Sequence, residues 1–414
     1  MTNGRMSHIV IGALVCGLLM IQMPGPAAAS HVSCGDVITQ DTTLDSDLVG
    51  CPENGIIVGA SDVTLDLGGH TVDGDGEGYE DVGISVFGKS HVTVTNGVVF
   101  DFEVGVHVSV GFGPVNDLVT GLVVGCRQSG CVSEEAFGMR VLGGPGSSGV
   151  AVAGNTIMNM PIGMEFGTYG SVAEQNVLSN NGLGIYATGE GNRIRQNVLN
   201  GEFGLVMDSG FGNFVEENSI SGGEAGIVLR DSTDNSFVRN HVDVSDRGVV
   251  VGESSRNRFE QNHVQSERIG IGLSGTGGEH IVRGNFVEGG DVGIGVGDSP
   301  GTLIERNRVE RTTTVGIRVS SSDNSVVANV VRRSGGDGIL VDASAVRVVI
   351  ERNRSDRNGD DGIDVGTTDA TITANRADRN RDLGIEAVYG VTDGGGNRAR
   401  GNRNRLQCTG VRCR

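Results

Sequence analysis

The sequence predicts an all-β protein folded as a parallel β-helix, a solenoid with about 22 residues per coil and three short strands per coil. Two recurring features support this prediction. An Asn returns with steps of 21 to 24 residues, and a Gly that opens a Gly-Ile-x-Val-like run keeps the same period. A fixed period of this length is typical of repeat proteins, in which each unit stacks on its neighbours. The Asn residues are Asn155, Asn176, Asn197, Asn218, Asn240, Asn262, Asn285, Asn307, Asn329, Asn353, Asn375 and Asn397. The Gly residues are Gly163, Gly184, Gly204, Gly226, Gly248, Gly270, Gly293, Gly316, Gly338, Gly362 and Gly384.

Residues 226–247 illustrate one coil. Ile227 and Leu229 alternate with an outward residue in the first of three short runs, and Val242 alternates with polar neighbours in the last. These runs have a two-residue period and are separated by polar turn residues, with no helical period. Since hairpin signals are missing, we expect each strand to pair with its equivalent in the next coil, about 4.8 Å away.

The Asn positions are expected to form two columns inside the coil. Asn tolerates a left-handed backbone in a tight turn, and its side-chain amide can bond to the identical Asn above and below. Most Phe residues, such as Phe214, Phe237 and Phe259, are expected to face the core. Besides the column given above, the second column contains Asn192, Asn213, Asn235, Asn257, His280, Thr302 and Asn324.

Composition restricts the classes of function. The chain has 70 Gly, 7 Pro and no Trp, which fits many tight turns and few packed helices. Its net charge of −19 argues against a nucleic-acid partner, because such a protein needs a basic surface.

Residues 1–29 are expected to be a secretory signal peptide. An apolar run over Ile9–Met23 is followed by the small residues Ala27, Ala28 and Ala29, which suit signal cleavage. The run is short for a membrane span, and no later run is long enough. We therefore expect a secreted, extracellular chain with no membrane span after signal removal.

The cysteines of an exported chain are expected to pair. Six remain after signal removal, and they fall into three pairs that are close in sequence. The absence of a Cys-x-x-Cys pair or a His cluster argues against zinc. The predicted disulfides are Cys34–Cys51, Cys126–Cys131 and Cys408–Cys413.

The Asn-x-Val column and the Gly-Ile-x-Val column resemble those of the right-handed parallel β-helix repeat proteins of the pectate-lyase-like superfamily, over about residues 55–405. Val63–Val72 resembles the opening coil of that superfamily. The resemblance implies a right-handed solenoid over 63–405, preceded by an N-terminal cap over 30–62. A C-terminal cap over 406–414 would close the other end.

The repeat is less regular near the N-terminus. Gly-Ile-x-Val-like runs are expected near 83–86, 105–108 and 121–124, and an irregular insertion is expected at about 125–148.

Enzymes of this superfamily place carboxylates from adjacent coils on the outside of one sheet, sometimes with calcium and a basic residue. The residue two positions after the repeat Gly should face outward. Such outward residues form a column, and its polar members concentrate at 318–386. The resemblance therefore implies that Asp337, Asp361 and Asp364 act as acid/base groups or metal ligands and that Arg318 binds a substrate carboxylate. This outward column is Tyr186, Val206, Val228, Val250, Gly272, Gly295, Arg318, Leu340, Asp364 and Glu386.

Calcium is a possible ligand, although no cofactor is required. Asp360 and Asp382 lie near the acidic candidates, and Asp73 and Asp75 begin a run similar to an EF-hand loop that lacks its closing Glu. The alternative is structural, because Asp-Gly sequences also make turns.

Two further columns have simpler explanations. Arg354, Arg376 and Arg398 should stack, and interleaved Asp356 and Asp378 would form a surface ion-pair ladder with them; a polyanion-binding groove is the alternative. His241 and His263 should also stack, but two histidines without a third ligand make a poor metal site.

The leading hypothesis is a secreted β-helix protein that binds or remodels an extracellular, acidic polysaccharide. If catalytic, it would be a lyase, an epimerase or a glycoside hydrolase. The alternative is a non-catalytic surface or matrix scaffold that uses its outer faces for adhesion or self-association, for which Val206, Val228 and Val250 offer an apolar stripe. A copper-site maturation factor is a third hypothesis, disfavoured because no Met/His cluster stands out.

Overall fold

The computed structural model describes residues 29–77, 81–128 and 133–414. These residues form an all-β, right-handed parallel solenoid of about 16 turns with about 22 residues per turn, and they contain no helix. The predicted signal peptide lies outside the described residues except for Ala29. Nor does the described chain contain any helical segment of the length and apolarity that crossing a membrane requires.

The coils stack into three parallel sheets, in which each strand pairs with its equivalent one coil away. Sheet 1 contains Asp36–Ile38, Ile56–Val58, Val82–Phe87, Val104–Val110, Phe137–Gly143, Ile162–Tyr169, Val177–Glu190, Val198–Asp208, Ala225–Arg230, Arg247–Gly252, Ile269–Leu273, Val292–Val296, Val315–Val319, Ile339–Val341, Ile363–Val365 and Ile385–Ala387. Sheet 2 contains Ala29–Ser30, Thr42–Leu44, Thr64–Asp66, Thr93–Phe100, Leu118–Gly125, Ala151–Ala153, Val172–Glu174, Arg193–Arg195, Phe214–Glu216, Ser236–Val238, Arg258–Glu260, Ile281–Arg283, Leu303–Glu305, Ser325–Val327, Val348–Glu351, Ala370–Thr373 and Thr392–Gly395. Sheet 3 contains Leu48–Cys51, Thr71–Gly74, Thr156–Met158, Ser219–Gly222, His241–Val244, His263–Ser266, Phe286–Gly289, Arg308–Glu310, Val330–Arg332, Arg354–Asp356, Arg376–Asp378 and Arg398–Arg400, together with parts of Thr93–Phe100, Leu118–Gly125, Val177–Glu190 and Val198–Asp208.

The core is a column of side chains from all three sheets. Ile227 and Leu229 of sheet 1 and Val242 of sheet 3 are buried, as their alternation predicts. Phe237 and Phe259 stack in the core with ring centroids 5.1 Å apart. The prediction for Phe214 was wrong, because this side chain is 48% exposed on the outside of sheet 2.

The main Asn column is a continuous hydrogen-bonded ladder. Oδ1 of Asn285 accepts from the backbone N of Asn262 at 2.8 Å and from its Nδ2 at 3.0 Å. Nδ2 of Asn285 donates to the carbonyl O of Phe259 at 2.8 Å and to Oδ1 of Asn307 at 3.0 Å. Each buried Asn therefore satisfies backbone groups of neighbouring coils, where water cannot reach them.

The left-handed backbone lies one residue before the position that we predicted. Gln261 (φ 57°) and Arg306 (φ 55°), which precede column Asn residues, have positive φ, whereas the Asn residues that follow them do not. The preceding residue makes the turn and points its side chain to solvent. The Asn keeps an ordinary backbone, because its side chain must point inward to continue the ladder.

A third ladder, which the sequence analysis missed, runs through the last coils. Asn358, Asn380 and Asn402 are buried and linked in the same way, and Oε1 of Gln407 ends the series by accepting from the N of Asn402 at 3.1 Å. Ser355 and its equivalents Ala377 and Ala399 replace the larger apolar residues of earlier coils. Small side chains there leave room for the additional Asn column.

The irregular region has a different register from the expected one. Residues 121–124 do not belong to the Gly-Ile-x-Val column, because their strand pairs with Thr93–Phe100 and Thr156–Met158 in sheet 3. The next strand of sheet 1 is Phe137–Gly143, which lies inside the supposed insertion and pairs with Val104–Val110 and Ile162–Tyr169. Gly138 is therefore the repeat Gly of this coil.

Two predicted disulfides are confirmed. Cys34–Cys51 joins Cα atoms 5.5 Å apart at one end, and Cys408–Cys413 joins Cα atoms 6.1 Å apart at the other. Cys126 is fully buried, and its predicted partner Cys131 lies outside the described residues, so this pairing stays a prediction.

The Asn ladder predicts that replacing a buried Asn lowers the free energy of unfolding far more than replacing an exposed Asn. Replacing Asn285 by Ala leaves the buried N–H of Asn262 and the carbonyl of Phe259 short of a partner, so we expect the free energy of unfolding to fall by about 3 kcal/mol. Urea denaturation followed by circular dichroism measures this change. The exposed Asn200→Ala is the control, and an equal effect of both substitutions would contradict the ladder's role.

Candidate functional site

One outward-facing column runs the whole length of sheet 1. Its register is continuous, and the predicted part from Tyr186 to Glu386 is confirmed. This outer column consists of Val37, Ile57, Ser85, His107, Arg140, Glu165, Tyr186, Val206, Val228, Val250, Gly272, Gly295, Arg318, Leu340, Asp364 and Glu386. Because equivalent residues lie one above another, the chemistry of the outer face changes along the solenoid axis.

The predicted acidic residues come together at the C-terminal end of this column. Carboxylate oxygens of Asp337, Asp360 and Asp361 lie within 4.8 Å of one another, and so do those of Asp361, Asp382 and Glu386. Among the described residues, only these two groups bring three potential metal ligands together. We call these five residues and Asp364 the carboxylate cluster.

The backbone explains how two of these carboxylates are held. Oδ1 of Asp337 accepts from the N of Asp361 at 3.0 Å, and Oδ1 of Asp361 accepts from the N of Leu383 at 2.6 Å. Each Asp thus caps the equivalent backbone amide of the next coil with one oxygen. The second oxygen of Asp361 remains for the cluster. The structural and chemical interpretations of these Asp-Gly turns are therefore compatible.

Burial and crowding change the acidity of the cluster. Burial, followed by a hydrogen bond with Glu386, raises the pKa of Asp361 to about 8. Burial and the negative charges of Asp337 and Glu386 raise the pKa of Asp364 to about 6, and burial also raises the pKa of Asp337. At neutral pH Asp361 therefore keeps its proton and shares a hydrogen bond with Glu386.

Arg318 is next to the cluster but is not free. Its Nε and Nη2 contact Oδ2 of Asp342 at 3.0 and 2.9 Å, while about half of the side chain stays exposed. Arg318 also borders a groove of about 570 Å³ over the middle of sheet 1, where Arg247 and Arg268 line the same groove. We call this the arginine groove.

Two glycines shape the arginine groove. Gly272 and Gly295 occupy consecutive positions of the outer column, where other coils carry side chains. A Cβ on Gly295 would meet only Cγ1 of Val292, at 3.5 Å, so the backbone tolerates a side chain there. The missing side chains therefore leave the floor of the groove open.

The N-terminal calcium candidates have another partner. Asp73 forms an ion pair with Arg127, which also contacts Asp101 at 2.5 Å. Oδ1 of Asp75 accepts from the N of Glu77 at 3.0 Å. Because Arg127 satisfies Asp73 without a metal ion, we keep calcium as a proposal for the carboxylate cluster alone.

The sequence analysis missed the other polar end of the outer column. Ser85, His107, Arg140 and Glu165 occupy the four consecutive coils before Tyr186, at which the predicted column begins. Each stands two positions after a repeat Gly, so the same rule that found the carboxylate cluster could have found them. The predicted column starts only at Tyr186, and the register predicted for 121–143 leaves no place in it for Arg140 of Phe137–Gly143.

The remaining predicted columns are confirmed in their geometry. Arg354 and Arg376 stack and contact Asp356 and Asp378 at 2.5 and 2.6 Å, which is the expected ion-pair ladder. The rings of His241 and His263 lie 4.8 Å apart, and the ring of His263 stacks in turn on Phe286 at 4.8 Å. The histidines thus belong to a ladder of rings on sheet 3.

Comparisons with known proteins agree with this architecture. The sequence model of the family described as "Right handed beta helix region" matches residues 242–377, and that of "Periplasmic copper-binding protein (NosD)" matches residues 141–287. The described chain folds as a right-handed parallel β-helix, and these two segments are similar to the two families. No curated protein matches the sequence.

Several solved structures are similar to this one. The periplasmic alginate epimerase AlgG is 13% identical, with 85% of this chain and 78% of that chain covered and a TM-score of 0.43. The Dettilon tailspike protein is 17% identical, with a TM-score of 0.43; the match covers 71% of this chain and spans 60% of the tailspike chain. PfbA, a surface adhesin of Streptococcus pneumoniae, is 10% identical, with 80% and 81% covered and a TM-score of 0.38.

The raised pKa of Asp361 predicts a pH-dependent stability. A carboxyl whose pKa rises from 3.8 to about 8 on folding stabilises the folded state below the unfolded value, and this contribution is lost as the pH rises through about 8. Asn at position 361 can imitate the protonated acid by accepting from Leu383 and donating to Glu386. We therefore expect Asp361→Asn to lose less stability than the wild type between pH 5 and pH 9.

Thermal denaturation at several pH values measures this difference. Asp323→Asn is the control, because a hydrogen bond from Arg347 lowers the pKa of Asp323 and keeps it ionised over the same range. Parallel pH profiles of the wild type and Asp361→Asn would show that the cluster holds no such proton.

Proposed function

We propose that this chain is a secreted β-helix protein that binds and remodels an extracellular, acidic polysaccharide on the outer face of sheet 1. The observation that carries the proposal is the continuity of the outer column. It passes from the open floor of the arginine groove, through Arg318, to Asp364 and Glu386 of the carboxylate cluster. An extended polymer that lies along the solenoid axis would contact both the arginine groove and the carboxylate cluster.

The arginine groove suits an acidic polymer. Arg247 and Arg268 both contact the carboxylate of Asp246, at 3.3 and 2.7 Å, so this group of three keeps one net positive charge. Arginine presents a planar fork that pairs with carboxylates in a bidentate manner. Val250 and Ile269 add apolar surface beside the glycine floor, which suits the C–H faces of sugar rings.

The carboxylate cluster suits proton transfer. Asp361, whose pKa burial raises to about 8, lies beside Glu386, so the cluster places a proton donor and a second carboxyl group together. Asp364, with a pKa of about 6, faces outward on the same column. Lyases, epimerases and glycoside hydrolases all need such proton transfers, and the cluster is our candidate catalytic site.

Calcium is the second part of the proposal. Oxygen atoms of carboxylates are the ligands that calcium prefers, and the two groups around Asp361 offer five of them from adjacent coils. A bound calcium would take over the neutralising role of the proton on Asp361 and attract a substrate carboxylate. Proton and calcium therefore compete for the same residues.

A location outside the cytoplasm agrees with the disulfides. Cys34–Cys51 and Cys408–Cys413 close the two ends of the array, and disulfides persist in oxidising compartments. The predicted signal peptide adds a route for export.

The proposal predicts turnover of a uronate polymer that depends on the cluster. We expect activity on at least one of polygalacturonate, alginate and hyaluronan, with Glu386→Gln and Asp364→Asn lowering kcat about 100-fold through loss of acid/base groups. Gly295→Leu should raise KM by filling the arginine groove. Product formation by reducing-end and ultraviolet assays, together with NMR of the polymer, measures all three reaction types.

The exposed Glu267→Gln, which lies outside sheet 1, is the matched control and should keep full activity. Saturable binding of a polymer without any turnover would favour the non-catalytic scaffold, which uses the same face. Neither binding nor turnover on any of the polymers would contradict the proposal.

Competition between calcium and the proton predicts a pH-dependent affinity. Calcium should bind more tightly at pH 8.5 than at pH 6, release a proton on binding, and raise the melting temperature. Isothermal titration in buffers of different ionisation enthalpy measures both affinity and proton release. Asp361→Asn should weaken binding strongly, whereas Asp73→Asn should not; equal affinities at both pH values would refute a calcium site at Asp361.

A further inference from the structure

A second cavity lies at the N-terminal end of the outer face of sheet 1. It has a volume of about 330 Å³ and is lined by Glu103, His107, Glu135, Phe137 and Arg140, among others. This volume is within the range of sites for small molecules. The cavity is separated from Asp364 by eleven coils along the outer column, or about 50 Å, so it is not part of the carboxylate cluster.

His107 lines this cavity and carries a buried polar atom that lacks a partner in the described part of the chain. Its Nε2 is buried and has no hydrogen-bond partner among the described residues. Burial, followed by the positive charge of Arg140, lowers the pKa of His107, so that the ring is neutral at pH 7. A buried nitrogen without a partner destabilises the fold, and a ligand hydroxyl that reaches it from the cavity would remove this cost.

The walls of the cavity carry both signs of charge. Arg140 donates from Nε to Glu165 at 2.6 Å, and its Cζ lies 4.8 Å from the centre of the Phe137 ring. Glu103 accepts a hydrogen bond from Ser133, and Glu135 is exposed at the rim. A ligand with a full charge of either sign would therefore meet a like charge.

Hydroxyl groups fit these walls best. A hydroxyl donates to a carboxylate, accepts from a guanidinium, and can do either with His107, so both tautomers of the neutral ring are satisfied. Phe137 and Val104 also line the cavity and offer apolar contact for C–H groups. Alternating hydroxyl and C–H surfaces on an uncharged ring are the features of a neutral sugar.

We propose that this cavity is a binding site for one neutral sugar residue, held by His107 and Arg140. This goes beyond the proposed function, because it adds an uncharged sugar to the ligands of the outer face. It does not depend on turnover at the carboxylate cluster. On a long polymer the two sites would bind residues of different chemistry.

Isothermal titration of the full secreted chain with methyl glycosides and disaccharides of glucose, galactose and mannose tests the proposal, with galacturonate as the charged counterpart. We expect saturable binding of at least one neutral sugar. His107→Ala and Arg140→Gln should each raise its Kd at least tenfold, and His107→Gln should retain part of the affinity.

Two control variants separate binding from other effects. His241→Ala removes a histidine from sheet 3 and should keep the affinity. Glu386→Gln should also keep it, so failure of the proposed catalytic function leaves this test unaffected. Thermal denaturation of each variant checks folding, which these outward-facing substitutions should preserve.

The proposal is overturned if none of the neutral sugars binds, or if His107→Ala and Arg140→Gln leave Kd unchanged. Tighter binding of galacturonate than of galactose to this cavity would overturn the assignment to a neutral sugar. A methyl glycoside that binds as tightly as its disaccharide supports a pocket for one residue, whereas a large gain with chain length contradicts that size.

Discussion

The structure depends on one constraint: every coil must repeat the backbone path of the coil before it, so that equivalent residues stack at the spacing of β-strands. The Asn ladder enforces this constraint. Each Asn, such as Asn285, bonds to backbone and side-chain groups of neighbouring coils inside a core that excludes water. A coil of different length would leave buried amides without partners. The steps between Asn residues therefore vary little, whereas the exposed residues of the turns vary freely.

Stacking also determines the electrostatics of the surface. Identical charges in one column repel each other, and the chain relieves this repulsion in two ways. Arg354 and Arg376 are interleaved with Asp356 and Asp378, so that each charge has an opposite neighbour. Among the described residues no arginine pairs with the carboxylate cluster, and burial, together with repulsion between its members, raises the pKa of Asp361 and Asp364. A column of like charges without counter-charges is costly for folding, and the proton transfer or calcium binding proposed above would give a physical reason for such a column.

The sequence predicted what depends on the period and failed where the period is broken. The coil length, the buried Asn columns and the outward column from Tyr186 to Glu386 all follow from spacing alone, because stacking converts sequence distance into spatial contact. The register near residues 121–143 could not be read in this way, since a strand of sheet 3 there imitates the Gly-Ile-x-Val pattern. Phe214 was misplaced because a single aromatic residue does not show which face its strand buries.

Partners of charged residues were the least predictable. Arg318 was expected to serve a ligand, yet Asp342, from the turn of the following coil, reaches its guanidinium. Turn residues point in different directions from coil to coil, so their positions cannot be predicted from a column of equivalent residues. The same limit hid the cavity around His107, whose rim includes Glu135 from an irregular segment. On a solenoid, regular positions set the column on which a site lies, and the irregular turns beside that column decide which of its residues are left free to bind a ligand.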